Sequence, residues 1–278
     1  MQDTQAFKDK LARNIAELSD IMAALRHPQT GCPWDIEQTS KSIAHYTIEE
    51  AYEVVDAIEK DNPESLCDEL GDVLLQVVFH ARIAQEHQRF DLNAVIAGIS
   101  HKMRRRHPHV FAEQDGQDLA PSRTTQSQGV AWEEQKARER AAKQSSKRPI
   151  GALDDVAAAL PALMRAQKLQ KRAARVGFDW PTAAEAAAKI TEETVELLDA
   201  SVSEDTAHVF EEAGDLLFSC VNVVRKLGVD AEAALRAANS KFTRRFESME
   251  QSAHEAGQSL TDLDLNALDS LWDRVKKR

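Results

Sequence analysis

Apolar side chains recur at helical spacing in the first half of the chain. Residues 51–58 and residues 66–77 place them at positions i, i+3, i+4 and i+7, which is typical of amphipathic helices. Between these segments stands Asn62-Pro63, a residue suited to cap a helix followed by one suited to its first position. So short a link predicts that the two helices are antiparallel. The apolar positions are Ala51, Val54, Val55 and Ile58, then Leu66, Leu70, Val73, Leu74 and Val77.

The second half of the chain carries similar helix signals. Thr182 and Glu185 have the spacing of a capping box, which predicts a helix from there through Leu198. Gly228 is placed to end the helix of residues 215–226. Composition agrees, because the chain has only 10 Gly and 8 Pro and its aromatic content is 5%. We therefore predict an all-α fold.

A polar segment divides the chain. It contains the turn-rich stretch GQDLAPSRTTQSQG, the polar helical stretch WEEQKARERAAKQ and the flexible stretch SSKRPIG. We predict an N-terminal helical domain at residues 1–113, a linker with a short helix at 114–150, and a C-terminal helical domain at 151–278.

The charge balance excludes several classes of protein. With 46 acidic and 35 basic side chains the net charge is −11, which argues against stable binding to nucleic acid or to an anionic membrane. No apolar run approaches the length of a transmembrane helix, and the N-terminus does not have the pattern of a secretory signal. Three widely spaced Cys fit a reducing compartment. These features predict a cytoplasmic protein.

The two halves repeat a pattern of acidic residues. The segment TIEEAYEVVDAI resembles TEETVELLDA, and DELGDVLLQVV resembles EEAGDLLFSCV. In each half E-E-x-x-E is followed by fifteen residues and then by E-x-G-D. The matching acids are Glu49, Glu50, Glu53, Glu69 and Asp72 in the first half and Glu192, Glu193, Glu196, Glu212 and Asp215 in the second.

Acids at helical spacing have two interpretations. Most often they are solvated helix surface that pairs with Lys or Arg. Here, however, Glu50 and Glu69 border apolar stripes that two antiparallel helices would bring together, and no Lys or Arg at i+4 within the clusters neutralises them. A divalent cation would neutralise these carboxylates. Carboxylates without Cys or His favour Mg²⁺ or Mn²⁺, and the absence of Glu-x-x-His pairs disfavours iron.

Basic and aromatic residues also repeat behind the acids. A Lys and an Arg four residues apart suit phosphate oxygens, although ordinary surface charge is the alternative. A Trp followed by a Lys one turn later suits either the stacking of a base or the packing of a terminal helix. The pairs are Lys102 and Arg105-Arg106 with Lys241 and Arg244-Arg245, and Trp132 and Lys136 with Trp272 and Lys276.

Taken together, the ordered motifs resemble one known family. They are GCPWDIEQTSKSIAHYTIEEAYEVVDAI and CDELGDVLLQVVFHA in the first half, and KLQKRAARVGFDW, EEAGDLLF, NSKFTRRF and LWDRVKK in the second. Over nearly the whole chain they resemble the MazG family of bacterial nucleoside triphosphate pyrophosphohydrolases. The resemblance implies helical-bundle cores completed by a homodimer, and Mg²⁺-dependent hydrolysis of nucleoside triphosphates to monophosphate and pyrophosphate.

The resemblance also implies residue roles, with the C-terminal domain as the catalytic one. The metal ligands would be Glu193, Glu196, Glu212 and Asp215, and the intact acids Glu50, Glu53, Glu69 and Asp72 would form a second cluster. The nucleotide-binding residues would be Lys189, Ile190, Thr191, Glu192, Glu193, Lys241, Arg245, Trp272 and Lys276. Of these, Glu192 or Glu193 is the candidate general base, while Lys241 and Arg245 would stabilise the leaving pyrophosphate.

Two further features bear on function. The segment CPWDIEQT has no counterpart in the second half: Asp35, Gln38 and Thr39 are candidates for nucleotide contacts, whereas Pro33 and Trp34 are suited to anchor a loop. No P-loop motif is present, so a motor-type ATPase is unsupported. The rival interpretation is a non-catalytic helical regulator that binds nucleotide or a protein partner and uses its metal clusters for structure only.

Overall fold

The computed structural model describes residues 4–111, 151–154, 156–202 and 205–276. They belong to two compact units, which we call unit 1 (residues 4–111) and unit 2 (from residue 151). Within the described ranges every regular element is a helix, which confirms the predicted all-α fold. The predicted linker at 114–150 lies outside the described residues, as do Trp132 and Lys136, so the domain boundaries stay predictions.

Unit 1 is a set of helices packed around a central hairpin. Helices α3 and α4 form this hairpin, α1 and α5 pack on α4, and α6 packs on α5. The bounds are α1 Thr4–Leu25, α2 Pro33–Glu37, α3 Ala44–Glu59, α4 Pro63–Glu86, α5 Leu92–Arg106 and α6 Pro108–Phe111.

The turn between α3 and α4 has the capping predicted for it. The side chain of Asn62 accepts hydrogen bonds from the backbone N–H groups of Glu64 and Ser65, each at 3.2 Å, and Pro63 occupies the first helical position. Asp61 before it adopts a positive φ of 50°. The N-cap satisfies two of the amides that a helix start leaves without partners.

The core of unit 1 only partly uses the apolar stripe that the sequence suggested. Met22, Ile43, Val78, Phe79 and Ile83 form the buried cluster. By contrast, three members of the predicted stripe on α4 are exposed, and with them Ala51 and Ile58 on α3. The exposed fractions of the larger side chains are 53% for Leu70, 45% for Leu74, 37% for Val77 and 57% for Ile58. The helices are therefore as predicted, but the buried face of α4 is different.

Unit 2 repeats the central hairpin, here made by α8 and α9. Helix α7 packs on α9, and α10 packs on α7, α9 and α11. The bounds are α7 Ala162–Arg175, α8 Ala183–Val202, α9 Thr206–Lys226, α10 Ala231–Glu255, a 3₁₀ turn at Leu260–Asp262 and α11 Leu265–Lys276.

Local signals set the ends of these helices. The backbone N–H of Glu185 donates to Thr182 Oγ1 at 3.2 Å, as a capping box requires, although the Thr182 hydroxyl itself donates to the Glu185 carboxylate at 2.9 Å. Helix α8 continues to Val202 rather than ending at Leu198. Helix α9 ends at Lys226, and Gly228 follows at φ 78°, a conformation that glycine adopts without strain.

The central hairpin of unit 2 has a large exposed apolar face. Val195 and Leu198 of α8 are 52% and 60% exposed, and Phe210 and Leu217 of α9 are 83% and 59% exposed. They recur at helical spacing, so they form a continuous surface on each helix. No helix among the described residues has the length and apolar composition needed to cross a bilayer.

Candidate metal and nucleotide site

Three carboxylates converge on the central hairpin of unit 2. One oxygen each from Glu193, Glu196 and Glu212 lies within 4.8 Å of the others. Glu193 and Glu196 stand almost one turn apart on α8, and Glu212 projects from the adjacent α9. Glu193 is buried, Glu212 is half-buried and Glu196 is exposed, so the group lies at the edge of the hairpin with one side open.

Crowding changes the acidity of this group. The pKa of Glu196 lies above its ordinary value because neighbouring atoms displace part of its hydration and because Glu193, Glu212 and Glu192 repel its charge. The charge of Lys189 acts in the opposite direction without outweighing these effects. Mutual repulsion of this kind is what a bound cation relieves.

Lys189 neutralises part of the acid charge in unit 2. The sequence has no Lys or Arg at i+4 within the clusters, but Lys189 stands four residues before Glu193 on the same helix face. Its Nζ lies 2.7 Å from Glu193 Oε1 and 2.7 Å from Glu192 Oε1. Hydrogen bonds to Glu192 and Glu193 raise the pKa of Lys189, so it is charged at neutral pH.

Asp215 does not belong to the group of three. It lies on α9 almost one turn after Glu212 and is exposed, but its oxygens are not among those within 4.8 Å of one another. The imidazole of His208 contacts the group from the other side, with Nε2 at 3.1 Å from Glu212 Oε1. Asp215 as a fourth ligand therefore stays a prediction.

Unit 1 has a corresponding group of acids, with a different composition. Oxygens of Glu50, Glu69 and Asp72 lie within 4.8 Å of one another, and the Glu53 carboxyl lies close enough to both glutamates to raise their pKa. The pKa of Glu50 is raised by lost hydration, by the hydrogen bond with Glu53 and by the charge of Asp72. The pKa of Glu69 is raised by lost hydration and by the charges of Glu53 and Asp72. Within the described part of the chain, none of these four acids pairs with a Lys or an Arg.

The position that would carry a lysine in unit 1 carries a tyrosine instead. In the repeat, Glu193 corresponds to Glu50, and Lys189 four residues before it corresponds to Tyr46. The two acid groups thus lie on equivalent hairpins, but only the group of unit 2 has this lysine beside it. Both donor sets consist of carboxylate oxygen alone, which is the chemistry that Mg²⁺ and Mn²⁺ take, so the residues present fit such an ion.

The predicted phosphate-binding cations lie on α10. Lys241 is exposed, and in the described part of the chain neither it nor Arg245 makes an ion pair with the carboxylates. Instead, the guanidinium of Arg245 lies 5.9 Å from the ring centre of Trp272, and Lys276 Nζ lies at the same distance. The structure therefore groups Arg245 and Lys276 around Trp272 rather than with the acids.

Trp272 has a packing role. It lies against the small core formed by Met249, Ala253 and Leu271, and its ring centre is 5.4 Å from that of Phe242. Its contacts hold α11 against α10. This is the packing of a terminal helix, one of the two roles expected for it. A contact with nucleotide stays a prediction.

Ile190 and Thr191 lie inside α8, which begins at Ala183. Their backbone N–H groups therefore donate within the helix and are not open to a ligand. Thr191 is exposed and Ile190 is half-buried, so only their side chains remain for the predicted nucleotide contact.

The segment CPWDIEQT of unit 1 is held in place by Arg26, a residue that we did not predict. Its guanidinium donates to the backbone carbonyl of Asp35 and, at 3.1 Å, to that of Gln38. It also pairs with Glu86 at 2.7 Å and lies 5.4 Å from the ring centre of Phe79. No local motif around Arg26 indicates this role, because its partners lie up to 60 residues away.

Two polar side chains of this segment, Gln38 and Thr39, form local hydrogen bonds. Gln38 Nε2 donates to the Trp34 carbonyl at 2.9 Å, and Thr39 exchanges hydrogen bonds with Ser42. The Trp34 ring packs near Tyr46 and Phe79, at 6.3 and 6.5 Å. These contacts fit the predicted loop anchor, and the nucleotide contacts of Asp35, Gln38 and Thr39 stay predictions.

A cavity of about 190 Å³ lies beside the acid group of unit 1. Trp34, Tyr46 and Phe79 give it aromatic walls, and Glu50 connects it to the carboxylates. The buried side-chain oxygen of Gln76, which also lines the cavity, accepts no hydrogen bond from the described residues. Unit 1 therefore has a cavity in direct contact with its carboxylates.

Comparison with known proteins agrees with the motifs. Residues 38–111 match the model of the MazG nucleotide pyrophosphohydrolase domain, and residues 160–242 match that of phosphoribosyl-ATP pyrophosphohydrolase. The chain is 47% identical over 267 residues to the nucleoside triphosphate pyrophosphohydrolase of Escherichia coli K12, covering 95% of this chain and 97% of the relative.

Another relative is the nucleoside triphosphate pyrophosphohydrolase/pyrophosphatase MazG of Thermotoga maritima, 43% identical over 260 residues and 94% of each chain. The uncharacterized protein YabN of Bacillus subtilis is 41% identical over 271 residues, covering 96% of this chain and 52% of its own. The related sequences thus align with both halves of the chain over nearly the full length of the chain. The chain belongs to the MazG family of nucleoside triphosphate pyrophosphohydrolases.

Proposed function

We propose that the protein hydrolyses nucleoside triphosphates, both NTPs and dNTPs, between the α and β phosphates to release a monophosphate and pyrophosphate. The observation that carries this proposal is the convergence of Glu193, Glu196 and Glu212 on one hairpin. The names of the relatives in Escherichia coli and Thermotoga maritima support the reaction class. Removal of unwanted triphosphates from the nucleotide pool, or control of the pool under stress, is the cellular role that we infer.

Mg²⁺, with Mn²⁺ as a substitute, is the proposed cofactor. Glu193, Glu196 and Glu212 would hold it, with Asp215 as the fourth ligand. When bound, the ion neutralises phosphate charge and acidifies a water molecule. The repulsion that raises the pKa of Glu196 in the free site favours such a ligand, because each added positive charge lowers the energy of the crowded carboxylates.

The remaining residues would position the triphosphate and move the proton. Lys189 is charged and lies at the edge of the acids, so it can pass from Glu192 and Glu193 to a phosphate oxygen when the substrate binds. Lys241 and Arg245 would stabilise the leaving pyrophosphate, and Trp272 with Lys276 would contact the nucleotide. Glu192 is not one of the three acids that would hold the ion. Its carboxylate would therefore be the group that accepts the proton of the attacking water.

We infer that unit 2 is the catalytic unit, within a C-terminal domain of residues 151–278. We also infer that the protein is a cytoplasmic homodimer that binds neither membrane nor nucleic acid stably. The exposed apolar faces of α8 and α9 support the dimer, because surfaces of this kind mark protein contacts.

Product analysis tests the reaction directly. The purified protein is incubated with each NTP and dNTP in Mg²⁺, in Mn²⁺ or in EDTA, and the products are separated by ion-exchange chromatography. Monophosphate and pyrophosphate in equal amounts, formed only with a divalent ion, support the proposal. Diphosphate with orthophosphate, or no turnover with any substrate, would show that the protein is another phosphatase or a non-catalytic regulator.

A pair of matched variants tests the choice of unit. Glu193→Ala should lower kcat by at least about a hundredfold, as expected for the loss of one ligand of an essential ion. Glu50→Ala, its counterpart in unit 1, should leave kcat within about threefold. The helical circular dichroism of both variants is the control for folding. If Glu50→Ala alone abolishes turnover, unit 1 is the catalytic unit.

A further inference from the structure

Unit 2 contains a cavity of about 570 Å³ to which no role has been given. It lies between α7, the loop of residues 177–180 and the C-terminal half of α9. This loop is the GFDW end of the motif KLQKRAARVGFDW, which the proposed reaction does not use. The volume lies in the range of small-molecule sites in proteins.

Aromatic rings form much of the cavity wall. Phe178 and Trp180 contribute from the loop and Phe218 contributes from α9. Phe178 and Trp180 are 81% and 42% exposed, so both rings face space that a flat ligand can occupy. Exposed aromatic rings at a cavity are suited to stack on a planar ring system.

One buried polar atom at the cavity is without a partner. Gln170 is 6% exposed, and its Nε2 donates to the backbone carbonyl of Phe218 at 2.8 Å. Because that carbonyl can only accept a hydrogen bond, the atom facing it must be Nε2 of the Gln170 amide. The other polar atom of the amide is Oε1. Oε1 is buried and accepts no hydrogen bond from the described residues. A buried acceptor without a hydrogen bond destabilises the folded protein by about 1–3 kcal/mol. A hydrogen bond from a ligand donor would remove this penalty.

The cavity carries no unpaired charge. The Arg225 guanidinium makes two hydrogen bonds to the Asp179 carboxylate and donates to Asn222 Oδ1 at 2.6 and 3.1 Å. Lys226 also pairs with Asp179, at 3.2 Å. A phosphate would have to displace the Asp179 carboxylate from both cations. The cavity therefore favours an uncharged ligand.

We propose that this cavity binds a planar, uncharged heteroaromatic ring that carries an N–H donor, the chemistry of a nucleobase. The ring stacks on Phe178 and Trp180, and its donor bonds to Gln170 Oε1. Asn222 Nδ2 makes no hydrogen bond within the described part of the chain and is available to a ring acceptor. The proposal goes beyond the hydrolysis at the carboxylates and does not depend on it.

Two sources can supply such a ring. It is either the base of the triphosphate whose phosphates lie at the carboxylates, or a separate nucleobase or nucleoside that binds on its own. The chemistry of the cavity is the same for both. Kinetic measurements distinguish them, as described below.

Nucleosides test the proposal without phosphates or metal. The full-length protein in EDTA is titrated with adenosine, guanosine, cytidine and uridine, and binding is followed by saturation-transfer NMR of the nucleoside. At least one nucleoside should bind saturably. Phe178→Ala and Trp180→Ala should each weaken that binding by about tenfold, as expected for the loss of one stacking ring. Phe7→Ala, which removes a 63% exposed ring of unit 1 outside the cavity, should leave it unchanged.

The outcome is decided by the three variants together. If no nucleoside binds, or if both cavity variants bind as the unaltered protein does, the proposal is wrong. If Phe7→Ala weakens binding as much as Phe178→Ala does, the effect is not specific to the cavity and the proposal is also wrong. If triphosphate is hydrolysed, competitive inhibition by the nucleoside together with a tenfold higher KM in Phe178→Ala identifies the ring as the substrate base. An unchanged KM identifies a separate ligand. Failure of hydrolysis leaves the NMR test intact.

Discussion

At the scale of single residues, Lys189 distinguishes the two carboxylate groups. It neutralises part of the charge of Glu192 and Glu193, whereas unit 1 has Tyr46 at the corresponding position. For this reason the carboxylates of unit 2 attract a free cation less strongly than those of unit 1 do. A site of this kind gains most from a ligand that brings its own negative charge, such as a triphosphate with its metal ion.

The first prediction concerns this lysine. Lys189→Met should raise the affinity of the nucleotide-free protein for Mn²⁺ by roughly fivefold, because one positive charge a few ångström from the ion is worth about 1 kcal/mol. Mn²⁺ titration followed by electron paramagnetic resonance measures the change. Lys168→Met, at an exposed lysine of α7, is the control and should have no effect. A lower Mn²⁺ affinity in Lys189→Met would contradict the electrostatic account.

The second prediction concerns Glu86, whose pKa is lowered by its hydrogen bond and ion pair with the buried Arg26. Because the folded pKa is below the ordinary 4.5, the pair contributes stability above that pH and loses it as the pH falls through the folded pKa. Glu86→Gln should therefore lower the free energy of unfolding by about 1–3 kcal/mol at pH 7. As the pH falls below 4.5 and through the lowered folded pKa, the difference from the unaltered protein should shrink because Glu86 itself becomes protonated.

Urea denaturation followed by circular dichroism at several pH values checks this. Glu17→Gln, at an exposed acid of α1, is the matched control and should stay within about 0.5 kcal/mol of the unaltered protein at every pH. A destabilisation by Glu86→Gln that does not change with pH would show that packing rather than charge is lost.

At the scale of elements, helix ends were the most predictable features. The cap at Asn62, the box at Thr182 and the stop at Gly228 all occur where the sequence placed them. They depend on backbone groups within four residues, which is why the local sequence suffices. Helix α8 passes Leu198 and continues to Val202, because residues 199–202 contain neither Gly nor Pro to stop it.

The third prediction tests the cap. Asn62→Ala should lower the free energy of unfolding by about 1 kcal/mol, because the amides of Glu64 and Ser65 lose their acceptor. Asn62→Asp, which keeps a carboxyl oxygen at the same place, should retain most of that stability. Chemical denaturation of the three proteins under one set of conditions is the measurement. Equal loss in both variants would mean that the side chain acts otherwise than as a cap.

At the scale of the whole molecule, the exposed apolar faces are the main departure from the predicted pattern. Leu74 of α4 and Leu217 of α9 occupy equivalent positions in the repeat, and both are exposed. Periodicity identifies the apolar side of a helix but not what covers it. Leu70 and Val77 belong to the apolar stripe of α4 but are exposed, whereas Val78 and Phe79 are buried in the core of unit 1.

The fourth prediction follows from these faces. Sedimentation velocity at micromolar concentration should show a dimer of the full chain. A double variant with Leu198→Lys and Leu217→Lys should raise its dissociation constant by at least about thirtyfold, since two buried leucines are worth 2 kcal/mol or more. Val176→Lys with Leu265→Lys places the same charges at exposed positions outside the hairpin and should leave the dimer intact. A monomer in the unaltered protein would remove the support for the proposed dimer.

The sequence by itself determined the helices and the repeat, and its candidate acids include the three that converge in each unit along with Glu53 and Asp215, which stand outside those groups. Helical period, caps and motif spacing are properties of neighbouring residues. The sequence also determined the family through the order of those motifs. Only the tertiary structure decided which side chains from distant parts of the chain meet: Arg26 with the CPWDIEQT segment, and Gln170 with the Phe218 carbonyl at a cavity, where the Gln170 oxygen stays unpaired. Such contacts depend on the distance and direction between side chains that α-helical packing sets, and periodicity carries neither.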